Sequence, residues 1–480
     1  MTTITDRGLP AHWPGGETMS GPDVTVREVL RGGVLATLPS ATFHEVGAAV
    51  TAAAGCEMPS AGERAEILDE TVRRIRAARE DFARVIALEA GKPIATARGE
   101  VDRCLDTLTH SAIQARTLTG EMVPMGVTAA GRGAIGMVLR EPIGVVGAIS
   151  PFNFPLNLVA HKLGPAIAAG CPVVLKPAHQ TPLSALGLAD ALRAAGLPED
   201  ALHVVIGSAD TGTALVEHPA VKLVSFTGSN PVGRGIQTRV PHKRVLLEMG
   251  NATPVIVAAD ADLADAARRV ARSGYTHAGQ SCVSVQRVYV ERAVHGRFME
   301  LLTAEVAQLV SGDPLDERTD VGPQIDVDAT ERTLEWIEEA ITGGARAAIR
   351  GRVVDGVLTP TLLDDLPEGC RISTQEVFGP VVAVAAVPDL DDAVRRANAT
   401  PLGLQAGIFT ARVGDAIAMS RRLHFGGVLI NETPTFRTDQ MPYGGEGESG
   451  NTREGPAYAV HEMTVPKLVV IRLPEGSRGS

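Results

Sequence analysis

Short apolar runs alternate with segments of helical periodicity through the middle of this 480-residue chain. The runs recur at intervals of roughly 20 to 30 residues, which is the spacing of strand–helix–strand units. Such units join parallel strands through right-handed crossovers, so the pattern predicts a parallel sheet covered by helices. The first five runs are residues 143–149, 173–175, 204–206, 223–226 and 245–247.

The alternation starts again beyond Glu248 and predicts a second α/β lobe. We expect a hinge near Glu248 and a return of the chain near Asn431. The predicted strands are 255–257, 287–290, 381–387, 406–409 and 427–430, and the predicted helices are 263–275, 295–310, 390–399 and 413–423.

The flanking segments follow other patterns. Residues 1–60 predict an irregular arm, whereas apolar periodicity predicts helices over 63–90 and 100–118. Residues 121–141 are polar and interrupted by glycine, which indicates an extended excursion. The apolar run 465–473 is expected to pair either with that excursion or with another subunit.

The composition excludes two classes of partner. Lys plus Arg total 45 against 56 Asp plus Glu, for a net charge of −11, so we expect neither nucleic acid nor an anionic membrane. No leader or membrane-spanning segment is evident, and the expected compartment is the cytoplasm. The cysteines are widely spaced without a CxxC pair, so neither a disulfide framework nor a metal site is expected. They are Cys56, Cys104, Cys171, Cys282 and Cys370.

Four turns that follow apolar runs carry residue types that are used for catalysis or ligand binding. The turn from Gly228 to Gly233 opens a helix, where free N–H groups attract phosphate, although such glycines are often structural. Cys282 lies in the polar turn GQSC, which favours a reactive thiol over a core cysteine. Glu248 ends an apolar run, where either a ligand or an ion pair is expected. Asn153 lies between two prolines and alone would be interpreted as a turn cap.

Together these turns resemble the aldehyde dehydrogenase superfamily from about Glu63 to Leu473. The resemblance implies a Rossmann-like cofactor lobe, a catalytic lobe and a small β extension for oligomerisation. The matching segments are ISPFNFPLN (149–157), VVLKPAHQTP (173–182), SFTGSNPVG (225–233), LEMGN (247–251), GQSC (279–282), EVFGPV (376–381) and MPYGGEGESG (441–450). The implied domains are a cofactor-binding domain (1–118 with 142–248), a catalytic domain (249–431) and bridging segments (119–141 with 432–480).

The resemblance implies oxidation of an aldehyde to a carboxylic acid with hydride transfer to NAD or NADP. Cys282 matches the nucleophile, which forms a thiohemiacetal and then a thioester. Asn153 matches the amide that stabilises the oxyanion together with the backbone N–H of Cys282. Glu248 matches the base that activates water for hydrolysis, and a part in removing the thiol proton is left open.

A second set of residues matches the family's cofactor contacts. Lys176 resembles the residue that binds the adenosine ribose, Ser229 with Gly228 the pyrophosphate site, and Glu376 the carboxylate that binds the nicotinamide ribose. Phe378 is expected beside the nicotinamide ring, with an ordinary core position as the alternative. The full set is Ile149, Phe152, Lys176, His179, Gly212, Gly228, Ser229, Gly233, Glu376 and Phe378.

The chain departs from the family pattern at three positions. Many members that use NAD carry Glu three residues after the lysine, where this chain has His179. A carboxylate repels the 2′-phosphate of NADP and an imidazole does not, so we expect NADP to be accepted or preferred. Asn251 replaces a glycine and predicts a slightly altered nicotinamide position, and Gln375 replaces an acidic residue without a predicted role.

The substrate is expected to be a short polar or anionic aldehyde. Branches that oxidise phosphorylated aldehydes place Arg before the nucleophile, but this chain has Ser281. Arg103, His161, Ser281 and Arg437 are candidates to line the substrate tunnel, with structural ion pairs as the alternative for the two arginines. The segments PTFR and MPYGG resemble the branch that oxidises lactaldehyde and other small polar aldehydes.

Two other functions remain as alternatives. A coenzyme A-acylating enzyme would resolve the thioester with a thiol, and Glu248 argues against it because that residue implies activated water. A non-catalytic protein of this fold is disfavoured by the complete trio of Cys282, Glu248 and Asn153. The resemblance also implies a homodimer or homotetramer.

Overall fold

A computed structural model describes residues 19–472 of the chain. It has a mixed α/β architecture with a five-stranded and a seven-stranded sheet, both mainly parallel. The fold class predicted from the alternating apolar runs is therefore confirmed.

The chain before the first parallel sheet is more regular than predicted. Residues 1–18 lie outside the described part, but a hairpin and a helix replace the rest of the predicted irregular arm. The helix predicted over 63–90 is divided at Ala78, and the next helix begins at Ile94 directly after Pro93. The elements are β1 (Asp23–Arg27), β2 (Val34–Pro39), α1 (Phe43–Gly55), α2 (Ala61–Ala77), α3 (Arg79–Ala90), α4 (Ile94–Thr117), β3 (Glu121–Val123) and β4 (Ala134–Pro142).

Residues 145–248 form the five-stranded sheet, in which every pairing is parallel. Its elements are β5 (Val145–Ile149), α5 (Asn157–Ala169), β6 (Val173–Lys176), α6 (Leu183–Ala194), β7 (Leu202–Val204), α7 (Ala209–Glu217), β8 (Val221–Thr227), α8 (Asn230–Arg239) and β9 (Arg244–Glu248). The spatial order is β7-β6-β5-β8-β9. The direction of strand addition therefore reverses beside β5, and a crevice at such a point is where open α/β sheets bind ligands.

The seven-stranded sheet follows, in the order β12-β15-β16-β11-β10-β18-β19. Its strands are parallel except for the pairing of β12 with β15. The sequence analysis missed α11 and the strands from β12 to β15. The elements are β10 (Pro254–Val257), α9 (Leu263–Tyr275), β11 (Arg287–Glu291), α10 (Arg292–Val306), α11 (Val327–Thr342), β12 (Arg346–Ile349), β13 (Val353–Val354), β14 (Val357–Leu358), β15 (Thr361–Asp364), α12 (Arg371–Thr374), β16 (Val381–Val387), α13 (Leu390–Ala397), β17 (Leu402–Gly403), β18 (Gln405–Phe409), α14 (Val413–Ser420) and β19 (Gly427–Ile430).

The last elements are β20 (Glu446–Gly447), α15 (Pro456–Glu462) and β21 (Thr464–Arg472). Strand β21 pairs antiparallel with β4 of the same chain, from Thr464 opposite Pro142 to Arg472 opposite Ala134. The predicted pairing with the extended excursion is thus the one observed. In the sequence, the five-stranded sheet ends at Glu248 and the seven-stranded sheet begins after it. The assignment of cofactor, catalytic and bridging domains stays a prediction. No helix of residues 19–472 is long and apolar enough to cross a membrane.

The largest hydrophobic cluster joins the N-terminal helices to the five-stranded sheet. Helices α4 and α5 pack closely within it because Gly164 faces Ser111. A Cβ on Gly164 would lie 2.5 Å from Ser111 Oγ, which donates to the carbonyl of Thr107. Gly99 of α4, by contrast, faces open space.

We expect Gly164→Ala to destabilise the protein by about 1–3 kcal/mol, because the added methyl group forces the two helices apart. The matched Gly99→Ala variant is expected to stabilise it by about 0.5–1 kcal/mol, since alanine favours an exposed helical position. Denaturant unfolding of both variants checks the pair. A Gly164→Ala variant as stable as the parent would show that the contact between the two helices can accommodate a methyl group.

Candidate active site

The carboxyl ends of the parallel strands open onto a cleft of about 840 Å³. Residues from both sheets line it, as expected for ligand binding at a reversal of strand order. The predicted site residues that line the cleft are Arg103, Ile149, Phe152, Asn153, Lys176, His179, Gly228, Ser229, Glu248, Cys282, Glu376, Phe378 and Arg437.

Four predicted contact residues do not line this cleft. Gly212 packs behind β5, where an added Cβ would lie 3.7 Å from Ile149 Cδ1, and Gly233 packs against Met249. His161 is fully buried behind the cleft wall, where its Nε2 contacts Asp439 Oδ1 at 2.8 Å. Ser281 is also buried and lines a separate small cavity. Direct ligand contact by these four residues stays a prediction, and the structure places each of them in a buried position.

Cys282 follows a short 3₁₀ turn, Thr276–Gly279, in which His277 and Ala278 both have positive φ. Its Sγ lies 2.8 Å from the hydroxyl oxygen of Tyr443. Burial raises the pKa of the Cys282 thiol to about 12, while the hydrogen bond from Tyr443 lowers that pKa. These surroundings favour the neutral thiol, which must lose its proton before it can act as a nucleophile.

Glu248 ends β9 and is 4% exposed. Neither of its carboxylate oxygens has a hydrogen bond within the described chain. Burial raises the pKa of Glu248 well above its usual value, the charge of Glu454 raises it further, and Arg437 and Lys162 oppose the rise. A buried carboxyl with a raised pKa is suited to exchange protons near neutral pH.

Asn153 lies in the loop between β5 and α5, and α4 holds this loop from below. Glu100 accepts hydrogen bonds from the backbone N–H groups of Leu156 (2.9 Å) and Asn157 (3.1 Å) and forms a buried ion pair with Lys92. The Asn153 amide donates to the carbonyl of Gln280 at 2.8 Å. An amide nitrogen carries two N–H groups, so one further donor is left for an oxyanion beside Cys282.

One end of the cleft has the donors that a dinucleotide phosphate requires. The N-terminus of the ten-residue helix α8 lies there, and its N-cap residue Ser229 makes no side-chain capping bond. Free backbone N–H groups at such a position bind phosphate. Lys176 lies nearby, and burial lowers its pKa to about 8. Burial, followed by the charge of Lys176, lowers the pKa of His179.

The opposite side of the cofactor end carries Glu376 and Phe378. Glu376 accepts a hydrogen bond from the backbone N–H of Asn251 at 3.1 Å, and burial raises its pKa to about 7. The ring of Phe378 meets that of Phe152 edge-on at 5.8 Å, and both line the cleft. Phe378 is therefore not an ordinary core residue. Carboxylate, aromatic ring, ammonium group and helix N-terminus together fit a nicotinamide dinucleotide.

Two departures from the family pattern also acquire local explanations. The Asn251 side chain donates to Thr253 Oγ1 and to the carbonyl of Gln405, each at 2.9 Å. It therefore ties the segment after β9 to the seven-stranded sheet. The carbonyl of Gln375 accepts a hydrogen bond from the Gln286 side chain at 2.6 Å, which fixes the backbone beside Glu376.

Both candidate arginines form ion pairs while lining the cleft. Arg103 donates through Nε and Nη2 to Asp439, at 3.2 and 2.8 Å, and its side chain is 28% exposed. Arg437 is nearly enclosed and donates through Nη2 to Glu454 at 2.9 Å. Arg103 thus keeps its Nη1 donors beyond the ion pair, whereas Arg437 is held within the wall.

Sequence reasoning missed several charged residues behind the cleft and the tyrosine beside the nucleophile. Lys162 donates to Thr227 Oγ1 at 2.7 Å, and a lysine within the apolar window NLVAHKLGP was a usable signal. Tyr443 lay within a matching segment but carried no separate signal. Asp439 and Glu454 occur in a loop-like stretch, where nothing in the sequence indicates burial.

The aldehyde dehydrogenase family pattern matches residues 18–469, and the chain belongs to this family. It is an NAD(P)-dependent oxidoreductase that acts on aldehydes, as the resemblance implied.

Particular relatives agree with the small polar aldehyde branch. The 3-sulfolactaldehyde dehydrogenase of Priestia aryabhattai is 41% identical over 86% of each chain. The lactaldehyde dehydrogenase of Methanococcus maripaludis is 37% identical over 86% of this chain and 88% of the relative. The glyceraldehyde-3-phosphate dehydrogenase of Methanocaldococcus jannaschii, solved with NADP, superposes with a TM-score of 0.91 at 33% identity, covering 95% of this chain and 100% of that chain.

Proposed function

We propose that this chain oxidises a short polar or anionic aldehyde to a carboxylic acid through a covalent intermediate on Cys282. The observation that carries the proposal is the convergence of Cys282, Glu248 and Asn153 on one cleft that also holds the cofactor-binding residues. The names of the relatives support the substrate class, because lactaldehyde and sulfolactaldehyde are both short and polar.

The first step requires a thiolate. Glu248 is the base that removes the thiol proton of Cys282, and the sulfur then forms a bond to the carbonyl carbon. The negative charge that develops on the carbonyl oxygen is stabilised by the second amide N–H of Asn153 and the backbone N–H of Cys282. Loss of one such donor costs about 3 kcal/mol in the transition state.

Ser229 and the N-terminal N–H groups of α8 would hold the pyrophosphate of a nicotinamide dinucleotide, and Lys176 would bind its adenosine ribose. Glu376 would accept from the hydroxyls of the other ribose, and Phe378 would limit the position of the nicotinamide ring by packing beside it. When bound, the cofactor would supply the acceptor for the hydride that leaves the substrate carbon.

The thioester is then hydrolysed. Glu248 first releases the thiol proton to solvent and so regains its charge. It then accepts a proton from water while the water oxygen adds to the acyl carbon, and the carbon–sulfur bond breaks to return the Cys282 thiolate. Because Glu248 is buried beside the sulfur with no competing hydrogen bond, its position favours water over coenzyme A as the acceptor of the acyl group.

The proposed anion anchor is Arg103. Its guanidinium group lines the cleft, is partly exposed, and retains donors after pairing with Asp439. Arg437, which the sequence also suggested, is paired with Glu454 and lies 6% exposed within the wall. A carboxylate or sulfonate on the substrate would therefore meet Arg103 first.

The three-stranded sheet supports the proposed homo-oligomer. Strand β21 is an edge strand whose Leu468 and Val470 are exposed apolar residues. An exposed apolar edge strand is suited to contact another chain, and we propose a dimer or tetramer in the cytoplasm.

We expect Cys282→Ser to lose at least about a thousandfold in aldehyde oxidation while it still binds the reduced cofactor, because only the nucleophile is removed. Absorbance of the reduced nicotinamide measures turnover, and its fluorescence measures binding. Cys370→Ser, which removes another partly buried thiol, is the matched control and is expected to stay within about twofold. Undiminished turnover by Cys282→Ser would refute the nucleophile.

We expect His179→Glu to lower kcat/KM for NADP about tenfold relative to NAD, because the new carboxylate repels a 2′-phosphate. The control is His179→Gln, which removes the imidazole without adding charge and should leave the ratio of the two cofactors nearer to that of the parent. If His179→Glu leaves the ratio of kcat/KM for NADP and NAD unchanged, the 2′-phosphate of NADP does not lie near this residue.

We expect Arg103→Gln to raise KM about tenfold for an aldehyde with a terminal carboxylate, with little change for a neutral aldehyde of equal length. Arg79→Gln is the matched control, since Arg79 also pairs with an aspartate through Nε and Nη2 but lies outside the cleft. Equal effects of Arg103→Gln on both aldehydes would indicate a purely structural ion pair.

A further inference from the structure

Tyr443 places a hydroxyl group directly against the sulfur of Cys282. The two heavy atoms are 2.8 Å apart, which is short for a contact that involves sulfur. Tyr443 is 4% exposed, and its backbone is fixed by reciprocal hydrogen bonds with Glu454, at 3.1 and 2.5 Å. The ring therefore holds its position without help from a ligand.

The face of the same ring is covered by a cation. The guanidinium carbon of Arg437 lies 3.8 Å from the centroid of the Tyr443 ring. Arg437 is itself held by Glu454 and by a contact of 3.1 Å between its Nη2 and His161 Nε2. A cation over the face of a phenol draws electron density from the ring and makes its O–H a stronger hydrogen-bond donor.

The direction of the hydrogen bond follows from the surroundings of the phenol. Burial, with the nearby charge of Cys282, raises the pKa of Tyr443 well above its usual value. The phenol therefore keeps its proton, and once Cys282 is ionised a thiolate can only accept. The ionisable groups facing the sulfur are Tyr443, Glu376, Glu248 and Arg437, and the two carboxyl groups disfavour the thiolate while the other two favour it.

We propose that Tyr443 is a further catalytic residue, whose O–H donates to the Cys282 thiolate and stabilises it, and that Arg437 is a positioning residue that fixes and polarises the tyrosine ring. The proposal rests on the role of Cys282 given above. It does not require proton transfer from Tyr443, since the thiol proton goes to the base and the phenol retains its own.

A purely steric role makes a different prediction. Val283 and Leu404 pack with Tyr443 in an apolar cluster against Cys282, and phenylalanine would fill the same space. If the ring only shapes the wall, removal of the hydroxyl should leave the ionisation of Cys282 unchanged. If the hydroxyl stabilises the thiolate, its removal should shift that ionisation to higher pH.

The test measures the pH dependence of alkylation of Cys282 by iodoacetamide in the full chain, with the labelled peptide identified by mass spectrometry. For Tyr443→Phe we expect the midpoint to rise by about one pH unit and the rate below the midpoint to fall about tenfold. Tyr275→Phe is the matched control, because it removes a buried hydroxyl that donates to the carbonyl of Thr361 instead. An unchanged midpoint in Tyr443→Phe overturns the proposal.

A second measurement strengthens the hydroxyl as a hydrogen-bond donor instead of removing it. Replacement of the chain's four tyrosines by 3-fluorotyrosine makes each phenol more acidic and hence a stronger donor. The midpoint of Cys282 alkylation should fall in the parent protein and should not move in the Tyr443→Phe background. A shift of equal size in both backgrounds would overturn the proposal. Retained turnover by Cys282→Ser would instead refute the nucleophile itself, so the two failures are distinguishable.

Discussion

The carboxyl ends of parallel strands lie at one edge of a sheet, and this constraint places the chemistry of the whole molecule. Strands β5, β8 and β9 end together, so the segments that follow them meet although they are far apart in sequence. Asn153, Ser229 and Glu248 each lie just beyond one of these ends or terminate it. The seven-stranded sheet contributes the other side of the cleft through Cys282 and Glu376. A ligand that spans the cleft therefore contacts both sheets.

Buried ion pairs lie behind this cleft. Glu100 pairs with Lys92 and Glu454 pairs with Arg437, both within the protein interior. Removal of one member of such a pair leaves an uncompensated buried charge, which is strongly unfavourable. These pairs hold the loop of Asn153 and the ring of Tyr443. The buried ion pairs therefore position the reactive groups. Neither carboxylate oxygen of Glu248 has a hydrogen bond within the described residues, which fits a group that must exchange protons.

Much of the fold was predictable because strand and helix periods differ strongly in the two lobes. Helix α9 and strand β16 have the predicted bounds, since a capping aspartate or a continuous apolar run marks their ends. The strands from β12 to β15 were missed because each has only two to four residues, too few for a periodic pattern. At the site, Cys282, Glu248 and Asn153 were identified from their turns. His161 is buried by tertiary contacts, and no local pattern in its sequence window could reveal that.

The raised pKa values of Glu248 and Cys282 have a common cause and a joint consequence. Each group is desolvated, the negative charge of Glu248 raises the pKa of Cys282, and that of Glu454 raises the pKa of Glu248. Simultaneous ionisation of both groups is therefore disfavoured, because two adjacent anions would be buried without sufficient compensation. Hydrogen-bond donors near the sulfur make its ionisation more favourable. The phenol of Tyr443 is one such donor. As the sulfur bonds to carbon, its negative charge passes to the carbonyl oxygen. The stabilising donors then required are those of Asn153 and the Cys282 backbone.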